Sequence, residues 1–260
     1  MELEILRIMT EPYIKNYIHD GIATIEFFHP KSNSFPTSQL NALIDTFKTL
    51  GEDSNVKVII LKSAGEKVFC AGASFDELLT IDDFDTGKKF FMGFANLILA
   101  MRDCPKFIIG QIEGKVVGGG VGLTAACDYT LALNNASIKL SELSIGIGPF
   151  VIEPAITRKI GINAFSELTL NPKEWVLAHW CKEAGLYNDV FETREELIES
   201  CEAFAQQLSQ YSPAAMHHLK SIFWENAQNW NDIMPQRAAM SGELVLSEFT
   251  KSTLQKFKSK

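Results

Sequence analysis

The chain has 260 residues, an ordinary globular composition and a formal net charge of -8. That length buries a full core without disulfides or metals, and the acidic balance argues against a nucleic-acid partner, because phosphate contacts demand clustered Lys and Arg. Five cysteines stand at long, irregular spacings. With no CxxC pair and no His at ligand spacing, they read as reduced core residues of a reducing compartment, and no metal is expected. The first residues are acidic where a secretory signal is basic, and no unbroken apolar run approaches membrane-spanning length. A cytoplasmic protein with no membrane partner is therefore expected.

In chain order, YIKNYIH and IATIEFF flank Asp20-Gly21, which predicts a β-hairpin over residues 13–29. LNALIDTFKTL carries apolar residues at helical spacing and ends at Gly51. VKVIILK, residues 56–62, is a short β-branched run of the kind buried on both faces of a sheet. The loop SAGEKVFCAGAS packs small residues before a helical pattern that begins near Phe75. A helix rich in Phe and Leu follows, and Pro105 stops it ahead of the strand KFIIGQI. Strand, loop and helix alternate as in an α/β fold with right-handed crossovers.

Past Pro149 the texture becomes helical. Residues 155–186 read as helix in pieces, and three helical segments follow Thr193. The first has a Thr193/Glu196 capping box, the second starts at Pro213, and the third is GELVLSEFTKSTLQKF, residues 242–257. A soft boundary falls near residue 190.

The stretch from Gly110 to Pro149 holds the chemistry. Gly118, Gly119 and Gly120 stand at the mouth of a helix, where glycines let backbone N–H groups approach a ligand and the helix start adds positive potential. The same triplet also suits close packing of a helix on a sheet. GGGVGL does not complete a dinucleotide fingerprint, and no P-loop pattern occurs. Glu142 stands in SELSIGIG, where apolar neighbours would desolvate its carboxyl and raise its pKa into a useful range, although a capping or surface Glu is the ordinary alternative. No His pairs with a Ser or Cys nucleophile, so a triad is not expected.

Two small-residue loops, each ending a strand and opening a helix, with one Glu about twenty residues after the second, resemble the enoyl-CoA hydratase/isomerase family, the crotonase superfamily. The segments carrying the resemblance are CAGAS (70–74), GKVVGGGVGL (114–123), CDYTLA (127–132), SELSIGIGP (141–149) and the tail EFTKSTLQKF (248–257). It implies a crotonase-type α/β spiral of repeated ββα units over residues 1–190 and a helical C-terminal oligomerisation region over 191–260, assembling as a homotrimer or hexamer. It further implies an acyl-CoA thioester as substrate, with no cofactor beyond the coenzyme A the substrate carries. The thioester oxygen would be held by the N–H groups of Ala73 and Gly119, and Glu142 would be the acid/base. Ala71, Gly72, Gly118 and Phe150 are expected to line the acyl site, and Lys31 and Phe257 are candidates for the coenzyme A moiety.

Two departures from the family pattern leave the reaction open. Many hydratases of the family carry a second Glu where this chain has Gly122, and other members carry an Asp where it has Phe150. One carboxylate suffices to move a proton between two carbons; hydration asks the same group to handle water as well. Glu153 is a further acid whose direction the sequence does not give, and a structural role is the ordinary reading for it. Hydration and isomerisation both stand, beside hydrolysis or decarboxylation of an acyl thioester and a catalytically silent coenzyme A-binding scaffold.

Overall fold

Asp20 and Gly21 both take positive φ, 49° and 80°, the twist that a two-residue hairpin needs. They join β1 (Tyr13–His19) to β2 (Ile22–Phe28) in the expected antiparallel pair. The computed structural model describes residues 11–258, with side chains through residue 256. From β2 onward the main sheet is parallel, with six strands in the order β1-β2-β3-β5-β7-β9. Its remaining strands are β3 (Val58–Ser63), β5 (Phe107–Ile112), β7 (Tyr129–Leu133) and β9 (Asp189–Phe191).

Strand period sorts these residues onto two covered faces. Ile59, Leu61 and Ile108 enter the larger core, beneath α1 (Thr37–Glu52) and α3 (Phe84–Asp103). Val58, Ile60, Ile109 and Leu131 face the other way and meet Leu197, Cys201 and Ala205 of α7 (Arg194–Ser209). Thr193 caps α7 in the predicted capping box with Glu196. The boundary residue 190 lies within β9, which pairs with β7.

A second, three-stranded parallel sheet consists of β4 (Val68–Cys70), β6 (Lys115–Val117) and β8 (Ile138–Lys139). Each follows a long strand of the main sheet, so strand pairs and helices wind as the repeated ββα spiral that the resemblance implies. The remaining helices are α2 (Phe75–Leu78), α4 (Gly119–Ala126), α5 (Glu153–Leu170), α6 (Ala178–Glu183), α8 (Pro213–Phe223), α9 (Trp230–Leu244) and α10 (Glu248–Lys258). Residues 242–257 are not one helix as expected. α9 ends at Leu244, and the Ser247 hydroxyl accepts a 3.2 Å bond from the Thr250 N–H to open α10.

Asp128, at the foot of β7, fastens α8 to the sheet. One of its carboxylate oxygens accepts from the Trp224 indole at 2.8 Å, and the other pairs with Lys220 at 2.9 Å and accepts the Ile108 N–H at 2.8 Å. Both side chains of the Asp128–Lys220 pair are buried, and their polar atoms are satisfied, as burial requires. Among the described residues no helix is long and apolar enough to cross a membrane.

Candidate active site

β4 and β6 run side by side, and the loops that leave them meet. Gly72 (φ 86°) approaches so closely that a Cβ there would lie 3.1 Å from the Val117 carbonyl oxygen and 3.2 Å from the Gly119 nitrogen. Only a glycine allows that backbone contact at that φ. Phe35 donates its N–H to the Gly72 carbonyl at 2.8 Å and accepts from the Ser74 N–H at 2.9 Å. In such a parallel bridge the intervening residue, Ala73, directs its own N–H away from Phe35. Gly119 is the first residue of α4, so its N–H has no acceptor inside the helix. Among the described residues, neither the Ala73 nor the Gly119 N–H makes a backbone hydrogen bond.

α4 is seated by its own small residues. A Cβ at Gly120 would fall 2.6 Å from the Cys70 carbonyl oxygen, and one at Gly119 would fall 2.6 Å from the tip of the Phe94 ring. Phe94 is 4% exposed and packs within the larger core. The glycine triplet therefore does both things the sequence allows: it packs the helix against β4 and α3, and it frees a backbone donor.

Glu142 opens a one-turn 3₁₀ segment, Glu142–Ile145, closed by Gly146 in the left-handed region (φ 89°). Its Oε1 lies 2.9 Å from where a Cβ on Gly118 would stand. Oε2 is buried and has no hydrogen-bond partner among the described residues. Burial pushes the carboxyl up to about 7, against the smaller opposite pull of its own N–H and that of Ser141. Desolvation thus acts as the apolar sequence context suggests.

Ala71, Gly72, Ala73, Gly118, Gly119 and Glu142 come together around one cavity of about 150 Å³. Its apolar wall includes Phe75, Leu78, Phe90, Phe91, Ile147 and Ile152, and Ser141 adjoins Glu142 in the lining. Phe150 does not join them. Its ring folds back on Gly148, where a Cβ would lie 2.3 Å from the ring, and Val151 and Ile152 form that part of the wall instead. Lys31 lies outside the cavity, exposed and ion-paired with Asp76 of α2. The Phe257 side chain lies outside the described residues. Glu153 is also outside the lining: it pairs with Arg237 at 3.3 Å and accepts from the Thr157 hydroxyl at 2.9 Å.

Three residues of the site escape a sequence reading. Phe94 is one of several phenylalanines in an apolar helix, and nothing in the pattern marks the one beneath Gly119. Ile152 fills the space beside Gly122, and only its neighbour there gives it meaning. Ser141 had a signal, its place immediately before Glu142.

A spiral of parallel ββα units defines the crotonase class of fold, and among the described residues two backbone N–H groups without a backbone acceptor and one carboxyl meet around its apolar cavity. The enoyl-CoA hydratase/isomerase family model matches residues 17–260, and the chain belongs to that family. A probable enoyl-CoA hydratase of Bacillus subtilis is 26% identical over 238 residues, covering 91% of this chain and 92% of the relative. A carnitinyl-CoA dehydratase of Salmonella typhi is 28% identical over 213 residues, covering 78% and 76%. Among solved structures, an enoyl-CoA hydratase from Bacillus halodurans superposes with a TM-score of 0.88 at 20% identity, covering 94% of this chain and 99% of that one. Pseudomonas aeruginosa DspI superposes at 0.77 with 23% identity, covering 86% and 91%. At these identities the solved structures speak to the fold alone.

Proposed function

We propose that the protein acts on an acyl-CoA thioester through an enolate, with Ala73 and Gly119 holding the thioester oxygen and Glu142 moving the proton. The observation that carries this reading is the shared cavity: two uncommitted backbone N–H groups and a buried carboxyl with one unpartnered oxygen, among the described residues, line the same space. As the α-proton leaves, negative charge grows on the thioester oxygen, and each preorganised donor is worth roughly 3 kcal/mol there. A carboxyl with a pKa of about 7 is balanced between taking a proton and returning it.

With Glu142 the one carboxylate lining the cavity among the described residues, the reaction supported best is isomerisation of a 3-enoyl-CoA to the 2-enoyl-CoA. Glu142 takes the proton from C2 and delivers it to C4, while the apolar wall accommodates an acyl chain without polar substituents. Coenzyme A enters as part of the substrate, and no further cofactor is required. Self-association as a homotrimer or hexamer in the cytoplasm accompanies this reading. It is supported by the apolar side chains that α8 leaves exposed, Leu219 at 46%, Ile222 at 62% and Phe223 at 52%, a patch of the kind that partners cover.

The test is incubation with a 3-enoyl-CoA and with crotonyl-CoA, following products by chromatography and free thiol by titration. Conversion of the 3-enoyl thioester is expected. Thiol release would indicate a hydrolase of the same fold. Binding of acyl-CoA without conversion of either substrate would leave a silent scaffold.

A further inference from the structure

Leu78 lines two cavities. One is the cavity of about 150 Å³ that holds Glu142, and the other, of about 210 Å³, lies against α10 and is lined chiefly by Ile81, Val245 and Leu254, with the polar Asp82 and Lys251. Among the described residues no other side chain belongs to both linings. Leu78 has a fixed place between them. It ends α2, a single turn opened by the Ser74 hydroxyl, which accepts the Glu77 N–H at 3.3 Å. The Glu77 carboxylate in turn accepts the Thr37 N–H at 2.9 Å and the Thr37 hydroxyl at 2.6 Å, tying α2 to the start of α1. On its apolar side Leu78 is 7% exposed and clusters with Ile147 of the first cavity and with Val245 and Leu254 of the second. Pinned by hydrogen bonds on one side and by packing on the other, the side chain is a standing wall.

We propose that Leu78 is a specificity-determining residue that closes the acyl cavity and limits the substrate to short acyl chains. This rests on the reading of the Glu142 cavity as the acyl site. An apolar cavity of roughly 150 Å³ holds a body about the size of benzene. With the thioester carbonyl at the Ala73 and Gly119 end, that leaves room for a chain of about six carbons. The next carbons of a longer chain meet Leu78. Beyond it lies the second cavity, apolar along Ile81, Val245 and Leu254 and polar at Asp82 and Lys251, a space that suits a longer chain and that the leucine side chain keeps shut. One side chain, not the depth of the fold, therefore sets the length of the substrate.

The experiment measures the affinities of hexanoyl-CoA and decanoyl-CoA by calorimetry, on wild type, Leu78→Met, Leu78→Val and Leu78→Ala. Saturated thioesters make the comparison independent of turnover. Wild type is expected to bind hexanoyl-CoA at least about tenfold more tightly than decanoyl-CoA, the scale of overpacking a closed site. Leu78→Ala joins the two cavities, and at about fourfold per newly buried methylene decanoyl-CoA becomes at least the equal of hexanoyl-CoA. Leu78→Val falls between, and Leu78→Met, of similar volume, keeps the wild-type preference. If Leu78→Ala does not fold, wild type and Leu78→Val decide the matter. A wild type that binds decanoyl-CoA as tightly as hexanoyl-CoA overturns the role of Leu78, as does a folded Leu78→Ala or Leu78→Val protein with the wild-type preference; either result leaves the acyl-CoA reading standing. A wild type that binds neither thioester removes both.

Discussion

Ile152 fills the space that a side chain on Gly122 would enter, since a Cβ there would lie 2.4 Å from Ile152 Cγ2 and 2.6 Å from its Cβ. Ile152 is 2% exposed and also walls the cavity. The missing second acid is therefore not a gap in the site. The position is closed by an apolar neighbour, and the two residues form a matched pair. Gly122→Ala should cost about 1–3 kcal/mol by overpacking, and Ile152→Ala about 2–5 kcal/mol by leaving a cavity. The double variant should cost clearly less than the sum, because each change relieves the other. Urea unfolding of all four proteins measures this; strict additivity would mean that the pair is not coupled.

Glu142 makes stability depend on pH. Its carboxyl titrates at about 7 in the folded chain, against an ordinary value of 4.5. Between those two values the folded state binds the proton more tightly than the unfolded state. The contribution of this group is therefore fully favourable below about pH 4.5 and is lost as pH rises through 7. Glu142→Gln removes the titration and should be the more stable protein at pH 8, by on the order of 1–3 kcal/mol, with little difference at pH 4.5. Denaturation midpoints at the two pH values decide it, and a difference that does not change with pH would argue against a buried, titrating carboxyl.

Gly118 is held at φ 54° with the Glu142 carboxylate pressed close to where its Cβ would stand. Gly118→Ala meets both a disfavoured backbone and a 2.9 Å contact with Oε1. A loss of about 1–3 kcal/mol is expected. The kcat/KM for a 3-enoyl-CoA should fall at least about tenfold, since a small misplacement of reacting groups is costly. Steady-state kinetics on the folded variant provides the check, and wild-type kinetics would show that the loop tolerates the methyl group.

Asp128 lies away from the cavity lining and is a structural matter. Asp128→Ala leaves the buried Lys220 ammonium, among the described residues, with only the Lys106 carbonyl, at 2.8 Å, as a partner, and removes the acceptor of the Trp224 indole. Breaking such a pair from one side should cost about 3–5 kcal/mol. Thermal unfolding reads the loss, and a variant as stable as wild type would show that water replaces the carboxylate there.

How far the fold was legible follows from how local each signal is. Asp20-Gly21, the capping box at Thr193 and the β-branched runs of β3 and β5 act over a few residues, and all form as expected. β4, β6 and β8 span two or three residues each. They exist because parallel neighbours hold them, not because of any alternation of their own. The helix break at residues 245–247 was hidden because apolar spacing continues across it, while Ser247 starts a new helix through its cap. At the site, Ala71–Ala73, Gly118, Gly119 and Glu142 were legible because their residue types are constrained by close approach and desolvation. Phe150 misled because its ring turns onto Gly148, a choice set by local packing. The meaning of Ile152 depends on a glycine thirty residues earlier in the chain.

In the proposed reaction Glu142 moves the substrate proton while Ala73 and Gly119 hold the thioester oxygen. Its most direct test is single-turnover conversion of a 3-enoyl-CoA by wild type and Glu142→Gln, with acyl-CoA affinity measured in parallel by calorimetry. Glutamine keeps the shape and removes the titratable group. The rate should fall by about 10²–10⁴-fold with the dissociation constant nearly unchanged. A Glu142→Gln protein that converts the thioester at the wild-type rate would show that Glu142 does not move the proton.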